Sequence, residues 1–133
     1  MARFSPILQR PINRSDLSLL TSTTLSADTT GDAVYLGDAS VMNLTVETTA
    51  ISGTPTAVVY IEGSDDAGVT WYTLAIFGKT GANLGSNAAA PTAFDAASQE
   101  VHAAIPAAEY VRYRYDQTAT TSFTLSIGGS YVS

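Results

Sequence analysis

Between Met42 and Glu47 the chain alternates without a break, with Met42, Leu44 and Val46 on one side and Asn43, Thr45 and Glu47 on the other. A period of two places alternate side chains on opposite faces of a strand, so this segment predicts a half-buried β-strand. Phe123, Leu125 and Ile127 repeat the pattern against Thr124 and Ser126. Elsewhere short blocks of β-branched and aromatic residues are separated by Gly, Asp, Asn and Pro, which punctuate strands at turns. The pattern predicts about eight strands. They lie near Leu17 to Leu25, Ala33 to Leu36, Val41 to Thr49, Thr56 to Glu62, Thr70 to Phe77, Gln99 to Ile105, Tyr110 to Asp116 and Ser122 to Val132.

No window carries a clear helical period. The Ala-rich run from Ala88 to Ala97 is interrupted by Pro91 and Thr92, so at best it forms one turn. Lys79 to Ser98 therefore reads as a long Gly/Ala/Asn/Pro connection, of a length that is uncommon unless it binds, covers a sheet edge or is disordered. Antiparallel strands with turns throughout, in one domain of this size, predict an all-β fold with two sheets packed face to face. The expected architecture is a single β-sandwich of jelly-roll type over residues 17–133, preceded by an extended arm over residues 1–16. An eight-stranded barrel is the alternative, and the short irregular blocks with one long connection suit it less well.

Charge changes this picture at the N-terminus. The net charge is −6, with charged residues only 14% of the chain. Arg3, Arg10 and Arg14 lie in the first fifteen residues without an acid, leaving Lys79, Arg112 and Arg114 against all twelve acids, a balance of −9. The body should repel nucleic acid, and three arginines without interleaved aromatics make a small footprint for it. Two readings of the arm remain: a loose terminus with incidental charge, or an extension that docks on an acidic neighbour. Pro6 and Pro11 favour docking, because they hold a segment extended and reduce the entropy lost on binding.

With no cysteine in the chain, disulfides, thiolate metal sites and cysteine nucleophiles are excluded. Met1 to Leu20 is broken by Arg, Pro, Asn and Ser, so neither a signal peptide nor a membrane span is expected. His102 is the single histidine, and between Val101 and Ala103 it reads as a half-exposed strand residue rather than a base. G-x-S-x-G, H-E-x-x-H, Walker and G-x-G-x-x-G motifs are absent, so no enzyme and no cofactor are expected. On Tyr110 to Tyr115, Val111, Tyr113 and Tyr115 share one face and Tyr110, Arg112 and Arg114 the other. The arginines either pair across strands with Glu62, Glu100 or Glu109, or form an interface, where Arg and Tyr anchor partners.

Ser64-Asp65-Asp66-Ala67-Gly68-Val69-Thr70-Trp71 spells S-x-D-x-G-x-T-W between two strand-like runs. It resembles the Asp-box hairpin of sialidase-type propellers. Ser64 and Asp66 are suited to bond turn amides, Gly68 to supply positive φ, and Trp71 to begin the return strand as a large apolar anchor. A propeller repeats such units around at least four blades, and here there is one box, so the motif is read as a structural hairpin. A sugar or Ca²⁺ contact by Asp65 or Asp66 is the functional alternative.

Tyr60 to Trp71, the Gly/Ala/Asn loop after it, Glu109-Tyr110-Val111-Arg112-Tyr113-Arg114-Tyr115 and the closing Thr-rich strand together resemble head decoration, or cement, proteins of tailed bacteriophages. The resemblance covers roughly residues 33–133. It implies a non-enzymatic virion protein, made in the host cytoplasm, on the outer surface of an icosahedral capsid, where it locks neighbouring major capsid proteins together. It further implies a homo-oligomer, dimer or trimer, at symmetry axes, without nucleic acid or membrane. On that reading Arg3, Phe4, Arg10 and Arg14 attach the arm to the capsid, and Tyr110, Arg112 and Arg114 form a self-association or capsid face. The alternatives are a carbohydrate-binding module using Trp71, Tyr72 and the box acids, and a tail or head-tail connector subunit.

Overall fold

The computed structural model describes residues 14–118 and 121–133, all of them strand, turn or loop. Four strands form one sheet in the order β1 (Arg14–Leu25), β10 (Ser122–Val132), β4 (Val41–Ser52), β8 (Glu100–Pro106). The second sheet runs β2 (Thr29–Thr30), β9 (Tyr110–Thr118), β5 (Thr56–Ser64), β6 (Tyr72–Gly78), β7 (Gly81–Leu84), and β3 (Val34–Tyr35) extends β2's position along β9. Every pairing is antiparallel.

The pairs nest. β5 joins β6, β4 joins β8, β2 and β3 join β9, and β1 joins β10, while the β4–β10 and β5–β9 ladders knit the nest into two sheets. A long antiparallel ribbon rolled on itself in this way is a jelly roll, as the strand pattern predicts. Each expected strand is present within a few residues. The differences are local. β1 starts at Arg14, which pairs with Val132, so Arg14, Ser15 and Asp16 belong to the sheet rather than to the arm. The remaining arm residues, Arg3, Phe4 and Arg10 among them, lie outside the described residues. β7 and a bridge between Ala57 and Phe94 both fall within the stretch expected to be a plain connection.

Alternation builds the core. Met42, Leu44 and Val46 of β4 and Phe123, Leu125 and Ile127 of β10 face Val59 and Ile61 of β5 and Val111, Tyr113 and Tyr115 of β9, all buried. Burying such a set removes on the order of 1.5–3 kcal/mol per side chain from solvent exposure, the main favourable term in folding. Thr48, also buried, donates its hydroxyl to the Ala96 carbonyl (2.8 Å) and accepts the Gln99 amide (3.0 Å), tying the end of the long connection to β4.

Three loops gather at one end: residues 36–40, 65–71 and 107–109. Leu36 N–H donates to the Glu109 carbonyl (2.7 Å), Ala107 N–H to Ser40 (3.2 Å), and Glu109 N–H to Asp65 Oδ1 (3.4 Å). Ser40 N–H donates to the Val132 carbonyl (2.9 Å), so the Arg14–Val132 end of the first sheet lies at this same end.

Candidate functional surfaces

On β5 and β9 the residues that alternate with the core face outward, and register brings them into line. Glu62 stands opposite Arg112, and Tyr60 opposite Arg114. Glu62 Oε1 accepts from Arg112 Nε (2.8 Å) and its Oε2 from Arg114 Nε (3.1 Å), while Arg114 Nη1 also donates to Asp116 (2.8 Å). The Arg112 guanidinium lies 4.1 Å from the centre of the Trp71 ring, and that of Arg114 3.8 Å from Tyr60. The result is a continuous rail: Trp71, Arg112, Glu62, Arg114, Tyr60. Burial alone would lower the Arg114 pKa, but Glu62 and Asp116 outweigh it and raise it.

Of the three acids that could pair with these arginines, Glu62 takes both, and its side chain is only 10% exposed. Its burial interrupts the alternation of β5, because two guanidinium groups cover it. Tyr110 shares their face by sequence but joins a different group, its ring 5.1 Å from Tyr35 and tilted by 56°. Tyr60 and Tyr35 are the residues that sequence reasoning missed. The signal for Tyr60 is Tyr-x-Glu on β5 matched to Arg-x-Arg on β9, which becomes readable once register is known.

The hairpin between β5 and β6 is built as its spelling suggests. Ser64 Oγ accepts from the Gly68 amide (2.9 Å) and donates to Asp66 Oδ1 (2.7 Å), which also accepts from the Thr70 amide (2.8 Å). These bonds, Thr70's first and Ser64's second, hold the Asp66 carboxyl at about 2. Gly68 has φ of 84°, where a side chain is disfavoured. Trp71 differs from expectation. It is half-buried and absent from the core, its indole N–H donates to the Gly68 carbonyl (2.9 Å) and its ring carries Arg112, so it clamps the turn from outside. Asp65 binds the Tyr72 hydroxyl (2.8 Å), and burial followed by Asp65 raises the Tyr72 pKa.

His102 is exposed on β8, between Thr45 Oγ1 (2.6 Å) and Glu100 Oε1 (2.5 Å), in a cross-strand polar pair. Among the described residues no group of three or more His, Cys, Asp or Glu side chains is placed to hold a metal ion. Asp65 is engaged by the Tyr72 hydroxyl and Asp66 by the Thr70 amide of the turn.

No family model matches the chain, and no curated protein matches it. Among solved structures it aligns with a chain from "Structure of infectious bursal disease virus Gx strain" at a TM-score of 0.41 and 10% identity, over 91% of this chain and 32% of that one. The chain thus spans about a third of that viral chain's length, and a likeness this distant carries no argument about role.

Proposed function

We propose that this protein is a non-enzymatic structural component of a virion, which binds the outside of an icosahedral phage capsid and bridges neighbouring major capsid proteins. The observation that supports the reading best is the outward rail of Trp71, Arg112, Glu62, Arg114 and Tyr60. Trp, Tyr and Arg are the residue types that anchor protein interfaces. Here they are held against one another before any partner arrives, so docking costs little further side-chain entropy. With Asp116 at its margin the rail is charge-balanced, two arginines against Glu62 and Asp116, which suits a face that must be desolvated on binding. Arg3, Phe4 and Arg10 extend the reach of the protein across a subunit boundary, with Arg14 at their root. Copies gathered at a symmetry axis form a dimer or trimer.

A jelly roll hosts many functions, so the fold alone does not select this one. The carbohydrate reading loses its platform at Trp71, whose ring is engaged by Arg112, and retains Tyr72 beside Asp65. Co-sedimentation of the purified protein with capsids that lack it separates the two. Saturable binding at a fixed copy ratio, weakened by Arg114→Ala and lost on removal of residues 1–13, is the expected result. Absence of binding to mature and immature capsids at every salt concentration would sink the proposal, and retention on a glycan array would replace it.

A further inference from the structure

Where the three loops gather, they enclose an open groove of about 800 Å³ walled by Tyr35, Asp38, Asp65 and Glu109. Tyr35 is 63% exposed although its ring leans on Tyr110, so an aromatic surface is presented to solvent among carboxylates. Asp38, Asp65 and Glu109 have no ion pair among the described residues. By contrast, Lys79 is paired with Asp95, and Arg112 and Arg114 with Glu62. An exposed phenol ring flanked by carboxylates without ion pairs fits a guanidinium, which can lie on the ring and donate to carboxylates at its edge.

The chain carries such groups close by. Residues 1–13 hold Arg3 and Arg10 and no acid. That segment enters the sandwich at Arg14, whose ladder partner Val132 accepts the amide of Ser40, at the root of the loop that carries Asp38. Arg10 is four residues from Arg14, and an extended chain of that length reaches roughly 13 Å. The tether makes the local concentration of these arginines at the groove on the order of millimolar, far above that supplied by a second molecule in dilute solution.

We propose that the groove is the docking site of the protein's own N-terminal segment, recruited in the same molecule by the match between the segment's arginines and the ring and carboxylates of Tyr35, Asp38 and Glu109. The arm is then stored against the body of the free protein, and a partner that recruits its arginines competes with this contact. The proposal stands apart from the capsid reading, and its test uses the free protein alone.

Because the chain lacks cysteine, Ser5→Cys in the full-length protein takes a single nitroxide label. The proposal expects loss of amide intensity at Tyr35 to Ala39 and Ala107 to Glu109 in dilute ¹⁵N-labelled protein. The intensity should return in high salt and in an Asp38→Asn, Glu109→Gln variant, whose exposed or half-exposed sites leave the fold intact. A tether that only samples nearby space broadens all loops of that end alike and ignores salt, and that result overturns the proposal. So does broadening seen only when nitroxide-labelled and ¹⁵N-labelled molecules are mixed, which assigns the groove to the segment of a second copy.

Discussion

Asp66 illustrates how much of a hairpin one side chain can hold. Its carboxylate accepts the Thr70 amide and the Ser64 hydroxyl, and these bonds favour the ionised form, bringing the pKa from 3.8 to about 2. A carboxyl depressed on folding contributes stability that is complete above its unfolded value and is lost as pH falls through the folded one. The turn should therefore stay closed at pH 4 and loosen between 3.8 and about 2. Following the Thr70 amide by NMR, the expected midpoint is near pH 2, and Asp66→Asn should abolish the step. A midpoint close to pH 4 would mean that the carboxylate is not bonded in solution. Glu62 makes a different kind of contribution, because it satisfies two guanidinium groups from a nearly buried position. Glu62→Gln should cost about 1–3 kcal/mol, read as a lower urea midpoint with an unchanged slope. A cost below about 0.5 kcal/mol would place the rail in the class of screened surface pairs.

At the scale of elements, period two made β4 and β10 legible, because both bury one face and expose the other. β6 was legible as a strand but not as a doubly covered one, since Leu74 to Gly78 are all buried and alternation vanishes there. β7 had no signal at all: Gly81, Ala82, Asn83 and Leu84 include no β-branched or aromatic residue, and the strand exists because its backbone completes the edge of β6. Phe94 was hidden for the opposite reason. It is a lone aromatic in a Pro/Ala/Gly context, yet it is 1% exposed and exchanges both backbone bonds with Ala57 (3.0 and 2.8 Å), which pins the connection to the second sheet. Phe94→Ala should cost about 3–5 kcal/mol in chemical denaturation, as for a core aromatic. A loss near 1 kcal/mol would show that the connection is only laid over the sandwich. The rail was partly legible for the same physical reason: each half is visible on its own strand, but a contact between β5 and β9 depends on register, and a shift of one residue would point both arginines into the core.

At the scale of the whole molecule, nesting sets an order of assembly. β5 and β6 are joined by the short turn over residues 65–71, whereas β1 and β10 pair the two ends of the described chain, Arg14 with Val132. Closing a longer loop costs more entropy, and each outer pair is shortened in effective length once the pair inside it has formed. The β5–β6 hairpin, already fastened by Ser64 and Asp66, is thus the natural nucleus, and the β1–β10 ladder closes last. So many non-local pairings place folding in the range of milliseconds to seconds. Val59→Ala in the inner hairpin should slow folding, whereas Leu17→Ala in β1 should leave the folding rate nearly unchanged and speed unfolding. Both side chains are buried, so both changes should exceed the roughly 0.6 kcal/mol needed for a reliable ratio. The two chevrons would then differ in opposite limbs. If Leu17→Ala slowed folding as much as Val59→Ala, the ends of the chain would meet in the transition state, and the roll would close before its centre is set.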